Sequence, residues 1–327
     1  MEVRVTREVD ASSYRRLLAD DRSATFFHTG EWSSFLQEAL SGCSPGTLVA
    51  RNDDEIIGAL PFMTRTKIGL KVLESMPFGT YGGPVVTPGG DDVAAALVAA
   101  FAKLAKSPGV AMAQLVDVSG RELDPAGAFE RTSGTMQVVD LSGGFESVLS
   151  GFRPSARNKL KKARKAGVTV RRGQGAEDFS IYFTLLEKSA ARWGTPAPHG
   201  RRFFERLADV EHDGVQLWLA EHEGTVIGGD LNFALNGMIM NWGNASSDAG
   251  RRLATNNLLH AHAMRVGAEG GYRSFNMGAS QDLPGVAAFK RSLGAQVSDY
   301  TILRITTPLY RAAQWASQLG GGHGGRT

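Results

Sequence analysis

The sequence predicts an α+β fold made of two copies of one unit, and three observations carry that expectation. LVARNDDEIIGALPF (48–62) and WLAEHEGTVIGGDLNF (218–233) align without a gap at an offset of 170 residues, pairing Ala50 with Ala220, Ile57 with Ile227 and Gly58 with Gly228. Each reads as a hairpin, a short apolar strand, a polar turn (Asn52 to Asp54; Glu221 to Gly224) and a second apolar strand. The segments after the two hairpins correspond in order, which makes a duplicated unit of mixed sheet flanked by helices the simplest architecture.

After the first hairpin the pattern predicts a strand over Tyr81–Val86, a helix capped by Asp91 or Asp92 and running to about Lys106, and an apolar strand over Val110–Val118. After the second it predicts a strand over Met238–Asn244, a helix over Leu253–Ala268 and a strand over Arg273–Met277. Between the copies lies an insert. Gly143 to Gly151 opens it, a basic helix over 153–166 follows, and helical apolar spacing recurs in 179–194 and 200–212. The expected domains are therefore 1–145, then 146–310 with the basic helix and a helical insert over 176–212, then a C-terminal helix and disordered glycine-rich tail over 311–327.

Composition excludes several classes. With 36 basic against 33 acidic residues the net charge is only +3, so location of charge matters more than its sum. A single cysteine, Cys43, rules out an internal disulfide and any multi-cysteine zinc site. The N-terminus MEVRVTREVD is too polar for a signal peptide, and the longest apolar run, VAAALVAAFA (93–102), falls far short of a membrane span. The expectation is a cytoplasmic protein.

The charge is concentrated in RPSARNKLKKARKAGVTVRR (153–172), which has nine Lys or Arg and no acid. On a helix, Phe152, Ala156, Leu160 and Ala163 fall within an arc of about 80°, leaving the cations to the rest of the surface. Pro154 suits the first turn, Gly167 the end, and the basic last turn the helix dipole. A helix shaped only for solubility mixes Glu with Lys to gain side-chain pairs. One with cations alone attracts phosphate, on a nucleotide, coenzyme, lipid headgroup or tRNA.

Common catalytic signatures are missing. The seven histidines are scattered, and His260 and His262 point to different faces of one helix, so no metal is expected. There is no GxSxG, no GxGxxG after a strand and no GxxxxGK[ST]. GTYGGPVV (79–86) lacks a phosphate-holding lysine and reads as a close backbone approach. GVAAFKRSLG (285–294) places Phe289 and Lys290 on a short helix after a strand, where a fixed cation can stabilise an oxyanion.

The succession PSARNKLKKARKAG, SAARWGTPAPHGRRFF, IGGDLNFALNGMIMNWGNASS, NNLLHAHAMRVGAEGGYRSFNMGAS and AAFKRSLGAQ, spanning 150–305, resembles the FemABX group of acyltransferases with tandem GNAT-like domains. FFHTGEWSSFL and FGTYGGPVV extend the resemblance into the first half. It implies two GNAT-like domains and transfer of an aminoacyl group from aminoacyl-tRNA to an amine of a peptidoglycan precursor, peptide or small molecule, with no resident cofactor. Other relatives carry an acetyltransferase label, so acetyl-CoA or another acyl-CoA is the alternative donor. By the same resemblance Phe289 and Lys290 match the FK motif that lies at the reacting ester, and are the expected catalytic residues.

Two departures qualify it. Where a GNAT enzyme has the pyrophosphate loop [RQ]xxGx[GA], this chain has RLATNN, with Thr255 and Asn257 in place of glycines, which argues against coenzyme A in the second domain. After Trp32 comes SSFLQEAL, without the lysine that contacts nucleotide-sugar phosphate in peptidoglycan-acting relatives. The long helical arm that some relatives use for tRNA is absent too. Donor binding is therefore expected at Arg157, Asn158, Lys161 and Arg164, with Asn256 and Asn257, and acceptor binding at Arg192, Trp193, Asp230, Asn232, Trp242, Asn244, Trp32 and Tyr81. A non-catalytic protein that uses the basic helix to bind nucleic acid or an anionic membrane is a third reading, disfavoured by the intact Phe289 and Lys290.

Overall fold

The computed structural model describes residues 1–6, 9–78, 80–192, 194–280 and 283–320. The chain divides into two compact units, one of Met1–Gly134 with the chain from Asp299, the other of Thr135–Ser298.

The first unit contains strand β1 (Glu2–Thr6), helices α1 (Ala11–Asp20) and α2 (Gly30–Ala39), strands β2 (Ser44–Asn52), β3 (Glu55–Lys67), β4 (Leu70–Ser75) and β5 (Val85–Val86), helix α3 (Asp91–Ala105) and strand β6 (Val110–Asp117). The next strand, β7 (Glu130–Asp140), crosses the boundary. The second unit continues with helices α4 (Gly144–Gly151) and α5 (Pro154–Lys165), β8 (Thr169–Arg172), α6 (Gly175–Arg192), α7 (Arg201–Leu207), β9 (Val215–His222), β10 (Thr225–Leu235), β11 (Met238–Ser246), α8 (Asp248–Arg252), α9 (Thr255–Glu269), β12 (Ser274–Asn276) and α10 (Pro284–Ser292). Strand β13 (Gln296–Thr306) returns to pair antiparallel with β6, and α11 (Pro308–Gly320) follows. That return is why the first unit takes the chain from Asp299 and not 310, and the pairing of the end of β7 with β12 is why the second begins at Thr135 and not near 145.

In the first unit the strand order is β1-β2-β3-β4-β6-β13, with β5 on the early part of β3; in the second it is β7-β12-β11-β10-β9-β8. Pairing is antiparallel except for β4 with β6 and β11 with β12. The two expected hairpins are present and equivalent in register, because Ala50 faces Gly58 and Ala220 faces Gly228. Their turns put Asp53 at φ 49° and Glu223 at φ 50°. Each paired glycine lets a helix cross close to the sheet. A Cβ on Gly58 would come within 2.7 Å of Val93 Cγ1 of α3, and one on Gly228 within 3.2 Å of Leu259 Cδ1 of α9.

Three expectations change. The strand over 81–86 shrinks to Val85–Val86, since Gly82 and Gly83 pass against Ser75 and the Asp117 carboxylate with no room for a Cβ. Helix α3 is capped by Gly90, and Asp91 and Asp92 sit in its first turn, where they favour the dipole instead of capping. The segment 200–212 is helical only over Arg201–Leu207. Each unit has its own core: Leu48, Leu60, Leu97 and Phe101 in the first, and Phe152, Leu160, Trp218, Leu259 and Phe275 in the second.

Candidate active site

The polar residues of the second unit converge where β11 stops pairing with β12. Along β10, Asp230 and Asn232 share a face by alternation. On β11, Leu231 is opposite Gly243 but Asn232 is opposite Asn241, so Trp242 is an extra, bulged residue. The bulge inverts the parity of the strand and brings Asn241 and Asn244, three positions apart, onto the side of Asp230. Asn241 Nδ2 donates to Asp230 Oδ1 at 2.7 Å and to Asn232 Oδ1 at 3.0 Å. Asn244 Nδ2 donates to Asp230 Oδ1 at 3.3 Å, and Asn232 Nδ2 to Asp230 Oδ2 at 3.0 Å.

Asp230 and Asn232 are wholly buried, so among the described residues this carboxylate is solvated by side-chain amides. The sequence reasoning named Asp230, Asn232 and Asn244; the structure adds Asn241. Tyr182 of α6 is a further addition. Its hydroxyl is buried without a hydrogen-bond partner among the described residues, and burial, then the Asp230 charge, push its pKa upward. Gly243 leaves room for it, since a Cβ there would lie 2.5 Å from the hydroxyl oxygen.

The bulged Trp242 is half-exposed and belongs to an aromatic wall. Its ring centroid lies 5.8 Å from His199 in a stacked arrangement, 5.5 Å from Phe233, 5.9 Å from Phe203 and 6.1 Å from Phe204. His199, which no sequence signal singled out, also stacks on Phe203 at 4.0 Å. Arg192 ties the end of α6 to the end of β11, donating to Ser246 O at 2.9 Å and Ser189 Oγ at 2.9 Å. Trp193 lies outside the described residues.

Lys290 is buried beyond the end of β12. Its Nζ donates to Gly278 O at 2.9 Å and Ala279 O at 2.7 Å, two and three residues past Asn276, the β12 residue that pairs with Met240. Asn241, in the polar cluster, directly follows Met240. Among the described residues no carboxylate is paired with this ammonium, and burial lowers its pKa to about 8. The buried Gln137 steadies the loop and helix around it, accepting from Ser280 Oγ and donating to Ala287 O at 3.3 Å. Phe289 meets His260 edge-on at 5.5 Å, and His260 Nδ1 is 2.9 Å from Asn256 O.

The basic helix forms as expected, burying Ala156, Leu160 and Ala163. Its N-terminus adjoins α10, where Arg153 N donates to Ser292 O at 2.9 Å. Arg157 is committed to the end of α4, donating to Phe152 O at 2.7 Å and Ser150 O at 3.1 Å. It caps carbonyls and so differs from the exposed Asn158, Lys161 and Arg164.

Two further expectations are corrected. In the first unit Trp32 is fully buried against Phe26, Phe27 and Phe35, and Tyr81 is buried with its ring 5.5 Å from Tyr300, so both side chains pack the core and present no surface to an acceptor. At RLATNN, Ala254 takes the left-handed conformation at φ 59° before α9. Thr255 turns inward to Gly250 O, and Asn257 is likewise buried. Neither side chain stands over the backbone at the start of α9, which removes the steric objection to phosphate drawn from their identities. Among the described residues the buried Asn256 Oδ1 and Asn257 Nδ2 have no hydrogen-bond partner. Among the described residues no group of three or more His, Cys, Asp or Glu could hold a metal ion, and no helix is long and apolar enough to cross a membrane.

Residues 150–291 match the family described as the acetyltransferase (GNAT) domain. Among solved structures the chain is similar to FemX, with a TM-score of 0.75 at 14% identity, covering 98% of this chain and 99% of that one. It is similar as well to the C-terminal domain of a putative lysylphosphatidylglycerol synthetase from Agrobacterium fabrum, with a TM-score of 0.61 at 15% identity over 98% and 100% of the two chains. A tandem GNAT protein from the clavulanic acid biosynthesis pathway gives a TM-score of 0.54 at 17% identity over 93% and 98%. No curated protein matches the chain. At these identities the structural likenesses speak to fold, and the fold is that of GNAT-like units in tandem.

Proposed function

From a chain of tandem GNAT-like fold whose residues 150–291 match the acetyltransferase domain, we propose an N-acyltransferase that moves an aminoacyl group from aminoacyl-tRNA to an amine of a peptidoglycan precursor, peptide or small molecule. The observation that carries this reading is the continuity of the basic helix with the helix of Lys290. Helix α5 has cations and no acid along its exposed surface, and its first turn is hydrogen-bonded to the last turn of α10. An extended phosphate-attracting face therefore leads to a buried amine. One coenzyme pyrophosphate does not require so long a field, whereas an RNA backbone does.

The reaction joins the acceptor nitrogen to the ester carbonyl carbon and breaks the bond from that carbon to the ribose oxygen, which leaves with the proton given up by the amine. In this reading Lys290, as ammonium, stabilises the developing oxyanion and Phe289 positions the ester. Asn158, Lys161 and Arg164 meet donor phosphate, with Asn256 near the start of α9, whereas the buried Asn257 does not reach it. Arg157 acts by holding α4 to α5. The part-exposed Asn241, Trp242 and Asn244, with Arg192, form the acceptor side, and the wholly buried Asp230 and Asn232 act behind them by holding the two asparagines in place.

The test is transfer of a labelled aminoacyl group to a panel of amines, with acetyl-CoA run in parallel. Lys290→Ala should cut turnover at least a hundredfold while donor binding stays within about threefold. Transfer from acetyl-CoA alone would overturn the tRNA reading. That second reading is favoured by one observation, the inward turn of Thr255 and Asn257, which leaves the start of α9 open to phosphate.

A further inference from the structure

A groove of roughly 320 Å³ lies on the second unit between the end of α5, β8 and α9, lined by Arg164, Val168, Val170, Leu258, His262 and Arg265. Its chemistry is divided. Val168, Val170 and Leu258 supply an apolar surface, while Arg164 and Arg265 bring guanidinium groups from two different helices. Among the described residues the Arg164 guanidinium has no hydrogen bond or ion pair, and no acid lies on its helix to supply one. Arg265 is paired with Glu269 one helical turn away, at 3.0 Å, in an exposed contact worth only a few tenths of a kcal/mol.

His262 completes the lining. Its ring meets the Trp218 ring at 4.5 Å, and its Nε2 is buried with no hydrogen-bond partner among the described residues. Burial, then neighbouring Arg265, lowers its pKa to about 4, so at neutral pH the imidazole enters the groove uncharged. It presents an aromatic surface where a third cation would otherwise stand. Two cations beside an apolar and aromatic surface, in a volume at the small end of ligand sites, fit an anion that carries a flat ring.

We propose that the groove between α5, β8 and α9 binds a nucleoside phosphate, with the phosphate on Arg164 and Arg265 and the base on Val168, Val170, Leu258 and the His262 ring. The phosphate can belong to an RNA nucleotide or to a free nucleotide or coenzyme. In the first case the groove deepens the donor reading above and rests on it, as the place where the strand guided by the basic helix is gripped.

The test uses the full chain and three probes, 5′-AMP, inorganic phosphate and a fluorescent single-stranded RNA trinucleotide, titrated at low salt by calorimetry or anisotropy. AMP should bind saturably and at least several-fold tighter than inorganic phosphate, because only AMP reaches the apolar surface. Arg164→Gln and Arg265→Gln should each weaken AMP about tenfold, the loss of one charge-assisted hydrogen bond. His262→Leu should weaken AMP without changing phosphate affinity. Trinucleotide binding at least tenfold tighter than AMP, lost in the same variants, identifies RNA as the source; equal affinity identifies a free nucleotide. Absence of saturable AMP binding, or AMP affinity untouched by both arginine variants, overturns the proposal. Failure of the donor reading is separate and shows as no aminoacyl transfer by the wild type, whatever the groove binds.

Discussion

Replacing Lys290 by methionine tests whether a buried ammonium is held there on two backbone carbonyls. Burial lowers its pKa from 10.5 to about 8, which at 1.36 kcal/mol per unit is a cost of about 3 kcal/mol for keeping the charge in the folded state. The sign follows from linkage. Below pH 8 the amine is protonated folded and unfolded, and the folded state carries the whole cost. Between pH 8 and 10.5 the folded state sheds its proton first, and wild-type stability rises. Above 10.5 both states are neutral and the cost is gone. Methionine has similar length and no charge, so its variant lacks this dependence. It leaves Gly278 O and Ala279 O without their donor, a pH-independent loss of about 1–3 kcal/mol. Urea unfolding of both proteins from pH 7 to 10.5 should show the variant-minus-wild-type stability falling by about 3 kcal/mol across that range. Parallel curves would mean a solvated ammonium and would refute the reasoning.

Transfer by the wild type should decline as pH rises through about 8 and the Lys290 ammonium is lost, a limb read from kcat against pH. Asp230→Ala deprives the amides of Asn232, Asn241 and Asn244 of their acceptor oxygens and should lower stability by about 1–3 kcal/mol in thermal unfolding. The hairpin glycines should respond unequally. Gly58→Ala drives a Cβ into Val93 and should cost about 1–3 kcal/mol, whereas Gly228→Ala meets Leu259 at 3.2 Å and should cost less than about 1 kcal/mol by urea midpoint.

Much of the architecture was legible because its signals are local. The alternation and turn residues of 48–62 and 218–233 specify hairpins wherever they occur, and the shared offset of 170 residues carried the duplication before any contact was known. The basic helix was legible for the same reason. Its apolar stripe of Ala156, Leu160 and Ala163 has helical spacing, and a stripe that narrow docks one side only. The FK pair could be located by resemblance, although its environment could not.

The site was less legible because its geometry depends on register and on the direction in which side chains turn. Asn241 and Asn244 are an odd number of residues apart and would face opposite ways on a regular strand; only the Trp242 bulge, a product of pairing with β10, brings them to one carboxylate. Trp32 and Trp242 are the same residue type beside aromatic neighbours, yet one is enclosed by Phe26, Phe27 and Phe35 and the other stands half-exposed on a wall. Arg157 and Arg164 share a helix and a charge, but the chain turning back from α4 offers carbonyls to the first and not to the second.

The sequence by itself therefore determined the paired hairpins, the helices that follow them and a charged face without acids, since periodicity and charge act over a few residues. Tertiary structure alone decided which polar groups meet, which are spent on packing, and that Lys290 keeps its charge away from water. Those outcomes depend on contacts between residues distant in the chain, and neither spacing nor composition encodes them.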